Sequence, residues 1–89
     1  MIFLSGILQG IIQQIIYNTI MLYKRIHDLR VDNDKKQKDL AEYLNVRQST
    51  YSKYERGDLP LTAEILIEIA DYYGVSVDYM LGRTDKKRL

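Results

Sequence analysis

The run Gln37–Gly57, QKDLAEYLNVRQSTYSKYERG, concentrates amides, hydroxyls and cations at helical spacing. If Arg47 to Glu55 is helical, residues three or four apart share a face. Gln48, Ser49, Ser52 and Lys53 then point outward, and Tyr51 and Tyr54 point inward. A surface of Gln, Ser and Lys with basic neighbours forms hydrogen bonds and meets charge. That chemistry suits base edges and phosphates in a major groove. Groups that make and break bonds are scarce by comparison. His27 is the only histidine, and there is no cysteine. No His/Asp/Glu spacing resembles a metal site, and no glycine-rich loop follows a strand. Asp32-Asn33-Asp34 has the look of a calcium loop, but Gln37 stands where that loop needs glycine, so a turn is the better reading. The composition therefore predicts neither an enzyme nor a bound metal or cofactor.

Two short helices and a tight turn would hold these side chains. Asn45 follows Leu44 where the first helix should stop, and asparagine tolerates positive φ better than most residues. Val46 then forms an apolar plug, and Ala41 is small enough for two backbones to approach. With its flanks, this stretch resembles the Cro and lambda-repressor-like family, also called the xenobiotic-response-element family. The resemblance rests on Gln37, Leu40-Ala41, Asn45-Val46, Gln48-Ser49-Thr50 and Glu55-Arg56-Gly57. It continues through Ile69-Ala70, Tyr73-Gly74-Val75-Ser76-Val77-Asp78 and Leu81-Gly82-Arg83.

The resemblance implies an all-α fold, a compact five-helix domain over residues 22–84. It also implies sequence-specific binding to double-stranded DNA and control of transcription, commonly repression. By position, Gln48, Ser49 and Lys53 are the base-reading candidates. Gln48 can pair with adenine and Lys53 can donate to guanine. Gln37 is expected to hold a phosphate and brace Gln48, and Thr50 and Arg56 are further backbone candidates. The chain departs from the family at two caps, with Lys36 and Arg47 where Thr or Ser is usual. Losing a cap costs about 1 kcal/mol. A cation there is mildly unfavourable unless it meets a phosphate, so Arg47 is expected on the DNA backbone.

Charge is distributed to match. Net charge is only +1. Residues 35–56 hold six Lys/Arg against three Asp/Glu, whereas residues 57–85 hold one against six. The basic excess lies on the proposed reading element, the acidic excess on the helices after it. Glu64, Glu68 and Asp71 would repel phosphate, so their helix should face away from DNA. Asp34 and Gln37 can cap the second helix reciprocally. Thr62 and Ser76 can cap later helices, and Gly74 and Gly82 can end them. Ile65, Leu66, Ile69, Ala70 and Tyr73 give a core face. Residues 85–89 form a basic tail.

Residues 1–22 carry no charge. An apolar stripe runs through Leu4, Leu8, Ile11 and Ile15 at about 100° per residue. Leu22, Ile26 and Leu29 fall on the same side, so one helix from about Phe3 to Arg30 would carry a single stripe. The extension, residues 1–21, reads first as a dimerisation helix. Met21-Leu22-Tyr23-Lys24 resembles a usual family start, which makes residues 1–20 a candidate upstream segment. The segment could also pack back on its own domain. Its length fits a membrane anchor, but three Gln, one Asn and two Gly argue against one. A secretory signal lacks its basic start and its cleavage site. The expectation is a cytoplasmic homodimer on DNA, with a protein-partner role, antitoxin-like or adaptor, as the alternative.

Overall fold

The computed structural model describes the backbone of residues 2–88 and the side chains of residues 6–88. Five helices follow in order: α1 (Ile2–Asp32), α2 (Gln37–Leu44), α3 (Gln48–Arg56), α4 (Ala63–Tyr73) and α5 (Val77–Met80). The described residues contain no strand.

The core draws on every helix. Leu22, Ile26 and Leu29 of α1 meet Leu40, Ala41 and Leu44 of α2, Tyr51 of α3, Ile69 and Ala70 of α4, and Met80 of α5. Ile65, Leu66, Tyr73, Val77 and Leu81 pack around this centre, half-buried. The α4 face therefore forms as its spacing predicts. Thr62 Oγ1 accepts from Ile65 N–H at 3.2 Å and Ser76 Oγ from Tyr79 N–H at 3.0 Å, so both expected caps are present. Gly74 ends α4 in the left-handed region, φ 66°.

Gly82 is required for a second reason. Its φ is 73°, and a Cβ there would lie 2.8 Å from Met21 Cβ and Cγ. The end of α5 is thus pressed onto α1. Arg25 fixes the same corner, donating to the carbonyls of Tyr79 and Thr84 and to the Asp85 carboxylate. Its guanidinium also sits 4.1 Å from the centre of the Tyr79 ring. The basic tail folds back on the domain: Lys87 O accepts from Ser76 N–H, and Arg88 donates to Gly74 O.

One cap differs from expectation. Asp34 does not cap α2 but takes a left-handed conformation, φ 53°, in the turn after α1. The cap position falls on Lys36, whose backbone N–H donates to the Asp39 carboxylate at 2.7 Å. The acidic residue two places after Gln37 does the work that Gln37 was expected to do.

α1 continues unbroken from the domain into the extension, and the molecule measures 50 × 28 × 20 Å. Ile7, Leu8, Ile11, Ile12, Ile15 and Ile16 are exposed on this stem. The Leu4 side chain lies outside the described residues. No described helix is long and apolar enough to cross a membrane.

Candidate nucleic-acid interface

The sequence dictates the turn between α2 and α3 through Asn45. Its φ and ψ are 57° and 46°, the left-handed region that asparagine tolerates. Asn45 N–H returns to Glu42 O at 3.2 Å and Val46 N–H to Ala41 O at 3.0 Å. Carbonyls at the end of α2 are thereby satisfied. Val46 plugs the corner against the core, and Arg47 is extended ahead of α3. Ala41, 3 % exposed, lets α2 and α3 pack closely.

Tyr51 anchors α3. It is fully buried, as the spacing predicts, but Tyr54 is only half-buried and lies outside the core. Glu55 takes the inward place instead, 9 % exposed. The reason is angular: residues four apart diverge by about 40° on a helix and residues three apart by about 60°. Ser52, expected to point fully outward, is half-buried.

Glu55 is the residue that sequence reasoning missed. Arg30 of α1 grips its carboxylate from Nε at 2.9 Å and from Nη2 at 2.9 Å, and His27 Nδ1 lies 3.1 Å away. Burial pushes the Glu55 carboxyl up, but hydrogen bonds from Arg30, then His27, outweigh it and hold it below the ordinary carboxylate value. The same contact raises Arg30. Burial and the neighbouring Glu55 charge push the Tyr51 hydroxyl far above the usual tyrosine range, and it lacks a hydrogen bond of normal geometry. The available signal was spacing: Glu55 stands four residues after Tyr51. The network locks the C-terminal half of α3 to α1.

The opposite face of α3 is open. Arg47, Gln48, Ser49 and Lys53 are exposed, and Thr50 is half-buried at the edge. Neither Arg47 nor Lys53 has an ion pair or side-chain hydrogen bond among the described residues, so both cations are available to an anion. Arg56 is exposed at the far end but paired with Asp58 at 3.0 Å. Gln37 is half-buried at the start of α2, and no hydrogen bond joins it to Gln48. The structure thus brings Gln48, Ser49 and Lys53 onto one helix, with Arg47 immediately before it and Gln37 at the start of its neighbour. The acidic residues Glu64, Glu68 and Asp71 are exposed on α4, which packs against α2 and α5. No group of three or more His, Cys, Asp or Glu that could hold a metal forms among the described residues.

Two short packed helices joined by a left-handed Asn, with the second helix bare on its outer face, define a helix-turn-helix domain. Residues 26–80 match the helix-turn-helix family model. The chain belongs to this family, of the Cro and lambda-repressor type. It is 34 % identical over 64 residues to the HTH-type transcriptional regulator ImmR of Bacillus subtilis, covering 72 % of this chain and 50 % of that protein. It is 35 % identical over 65 residues to the cryptic phage CTXphi transcriptional repressor RstR of Vibrio cholerae, covering 73 % and 59 %. The uncharacterized HTH-type transcriptional regulator YobD of B. subtilis is 35 % identical, at 73 % and 58 % coverage. The chain spans between half and three fifths of the length of these relatives. No solved structure matches it.

Proposed function

We propose that the protein is a sequence-specific, double-stranded DNA-binding transcriptional regulator, a repressor acting as a dimer in the cytoplasm. The observation that carries this reading is the bare outer face of α3, which presents Ser49 and Lys53, with Arg47 and Gln48 exposed at the start of the same helix. Gln48, Ser49 and Lys53 read base edges. Arg47, Gln37, Thr50 and Arg56 hold the backbone and set the register. Arg56 exchanges Asp58 for phosphate, a small cost for an exposed pair. The relatives named as regulators and repressors support the same reading. Residues 22–84 are the reading domain, residues 85–89 its tail, and residues 1–21 the dimerising extension through Leu4, Leu8, Ile11 and Ile15. No cofactor or catalytic group takes part.

A specific observation favours a second reading, an antitoxin-like or adaptor role. Ile67 is half-exposed on α4 among Glu64, Glu68 and Asp71, an apolar spot with an acidic surround that suits a basic protein partner. Selection from a random pool of duplexes separates the two. Enrichment of one motif is the expected result. A pool that stays random, with only salt-sensitive general binding, would move the function to the protein partner.

A further inference from the structure

The stem and the domain share one side of α1. At about 100° per residue, the buried Leu22, Ile26 and Leu29 lie within roughly 60° of arc of the line through Leu8, Ile11 and Ile15. The domain therefore hangs beneath the stem's apolar face rather than behind it. On the stripe's own side the domain begins at the buried Leu22, and the end of α5 reaches higher only on the flank that carries Gln14. Asn18 Nδ2 donates to Leu81 O at 2.6 Å, Met21 lies under Gly82, and Tyr17 flanks Gly82. Above Leu22 the apolar face is open, with Ile7, Leu8, Ile11, Ile12, Ile15 and Ile16 each 51–59 % exposed.

From this we infer that the stem pairs with the stem of a second copy in antiparallel orientation; the inference rests on the proposal of a stem-mediated dimer and specifies its geometry. A parallel partner on this face would run its own α1 straight into the domain at Leu22, and its domain would need the same space. An antiparallel partner runs the other way, and its domain falls past the opposite end of the stem. Each L-shaped molecule then fills the notch of the other around a two-fold axis. The stripe has the symmetry for this. The spacing from residue 4 to 8, 11 and 15 is palindromic, so pairing about the midpoint sets Leu8 against the partner's Ile11. The segment carries no charge to desolvate, and Gln9 and Gln13 form a polar back. Leu8, Ile11 and Ile15 leave roughly 300 Å² open on each copy, and Ile7, Ile12 and Ile16 on the flanks about as much again. Burial of all six reaches the lower edge of specific interfaces, about 1,200 Å² in total. In this arrangement the two domains lie about 50 Å apart along the stem, wider than the roughly 34 Å of one DNA turn.

The chain has no cysteine, so single-cysteine variants at exposed stem positions report the orientation without background. A disulfide needs Cα atoms within about 7 Å. Antiparallel pairing separates Ile15 from the partner's Ile15 by about 16 Å along the axis, while Leu8 adjoins Ile11. The expected result is that oxidised I15C stays unlinked and a mixture of L8C and I11C gives a covalent dimer. Sedimentation equilibrium of the unmodified chain should give twice the 10.5 kDa chain mass. A covalent dimer of I15C alone, a monomeric mass, or vesicle pelleting in place of self-association would overturn the inference. Duplex binding measured on the same variants keeps the two proposals apart: cross-links as expected without sequence-selective binding would sink the DNA reading and leave the pairing intact.

Discussion

At the residue scale, α3 has two faces with different duties. Its inner face is locked by Tyr51 and by the grip of Arg30 and His27 on Glu55. Glu55 has a depressed folded value, so its stabilisation is present above the unfolded carboxyl range near pH 4.5 and is lost as pH falls through the lower folded value. Urea unfolding from pH 7 to pH 3 should show this loss below about pH 4.5. E55Q should cost about 1.5 kcal/mol at pH 7, because Arg30 loses a charged acceptor while keeping the Lys35 carbonyl. It should also remove most of the acid dependence. The outer face carries Arg47, a cap residue that does not cap. R47A should weaken binding to all duplexes alike and lower the salt slope by about one. An unchanged slope would leave Arg47 idle. Ser49 and Lys53 were legible in the sequence because spacing turns them away from Tyr51, whereas Gln48, three residues before Tyr51, is exposed because it opens the helix. Glu55 was not legible, because a buried carboxylate is explained by Arg30 and His27, 25 and 28 positions earlier.

At the element scale, local chemistry decides the boundaries. Asn45, Thr62, Gly74 and Ser76 were readable because a left-handed stop or a side-chain cap is written in two or three residues. Asp34 misled because the turn needed its backbone, at φ 53°, rather than its carboxylate. Thr62→Ala should lower stability by about 1 kcal/mol by leaving the Ile65 N–H without its acceptor. Gly82→Ala should cost more, roughly 2–3 kcal/mol, from left-handed strain plus the collision with Met21. Thermal unfolding of the two variants side by side checks the order. A smaller effect at Gly82 would mean that α5 and α1 are not closely pressed. That contact was invisible in the sequence, since glycine as a helix stop and glycine as a contact look alike.

At the scale of the molecule, α1 is both stem and core helix. It ties whatever the stem binds to the helix that holds Glu55, and so to α3. I11D places a charge in the middle of the exposed stripe, where the domain does not depend on it. It should keep the helical signal and the melting temperature of the domain while halving the mass in solution. Affinity for a duplex with two half-sites should fall at least tenfold, with single half-site affinity unchanged. Equal losses on both duplexes would mean that the stem acts on the domain itself. The continuous stripe was legible from phase alone; the direction we infer for a partner required the burial of Leu22, Ile26 and Leu29 under the domain on the side that the stem leaves open.

The most direct measurement compares the wild-type chain with K53A on duplexes selected from a random pool. If the bare face of α3 reads bases, K53A should relax or change the preference at one position of the recovered motif, a discrimination of about 1–3 kcal/mol, and leave the rest intact. An unchanged motif bound with unchanged discrimination would contradict the assignment of that face to base reading.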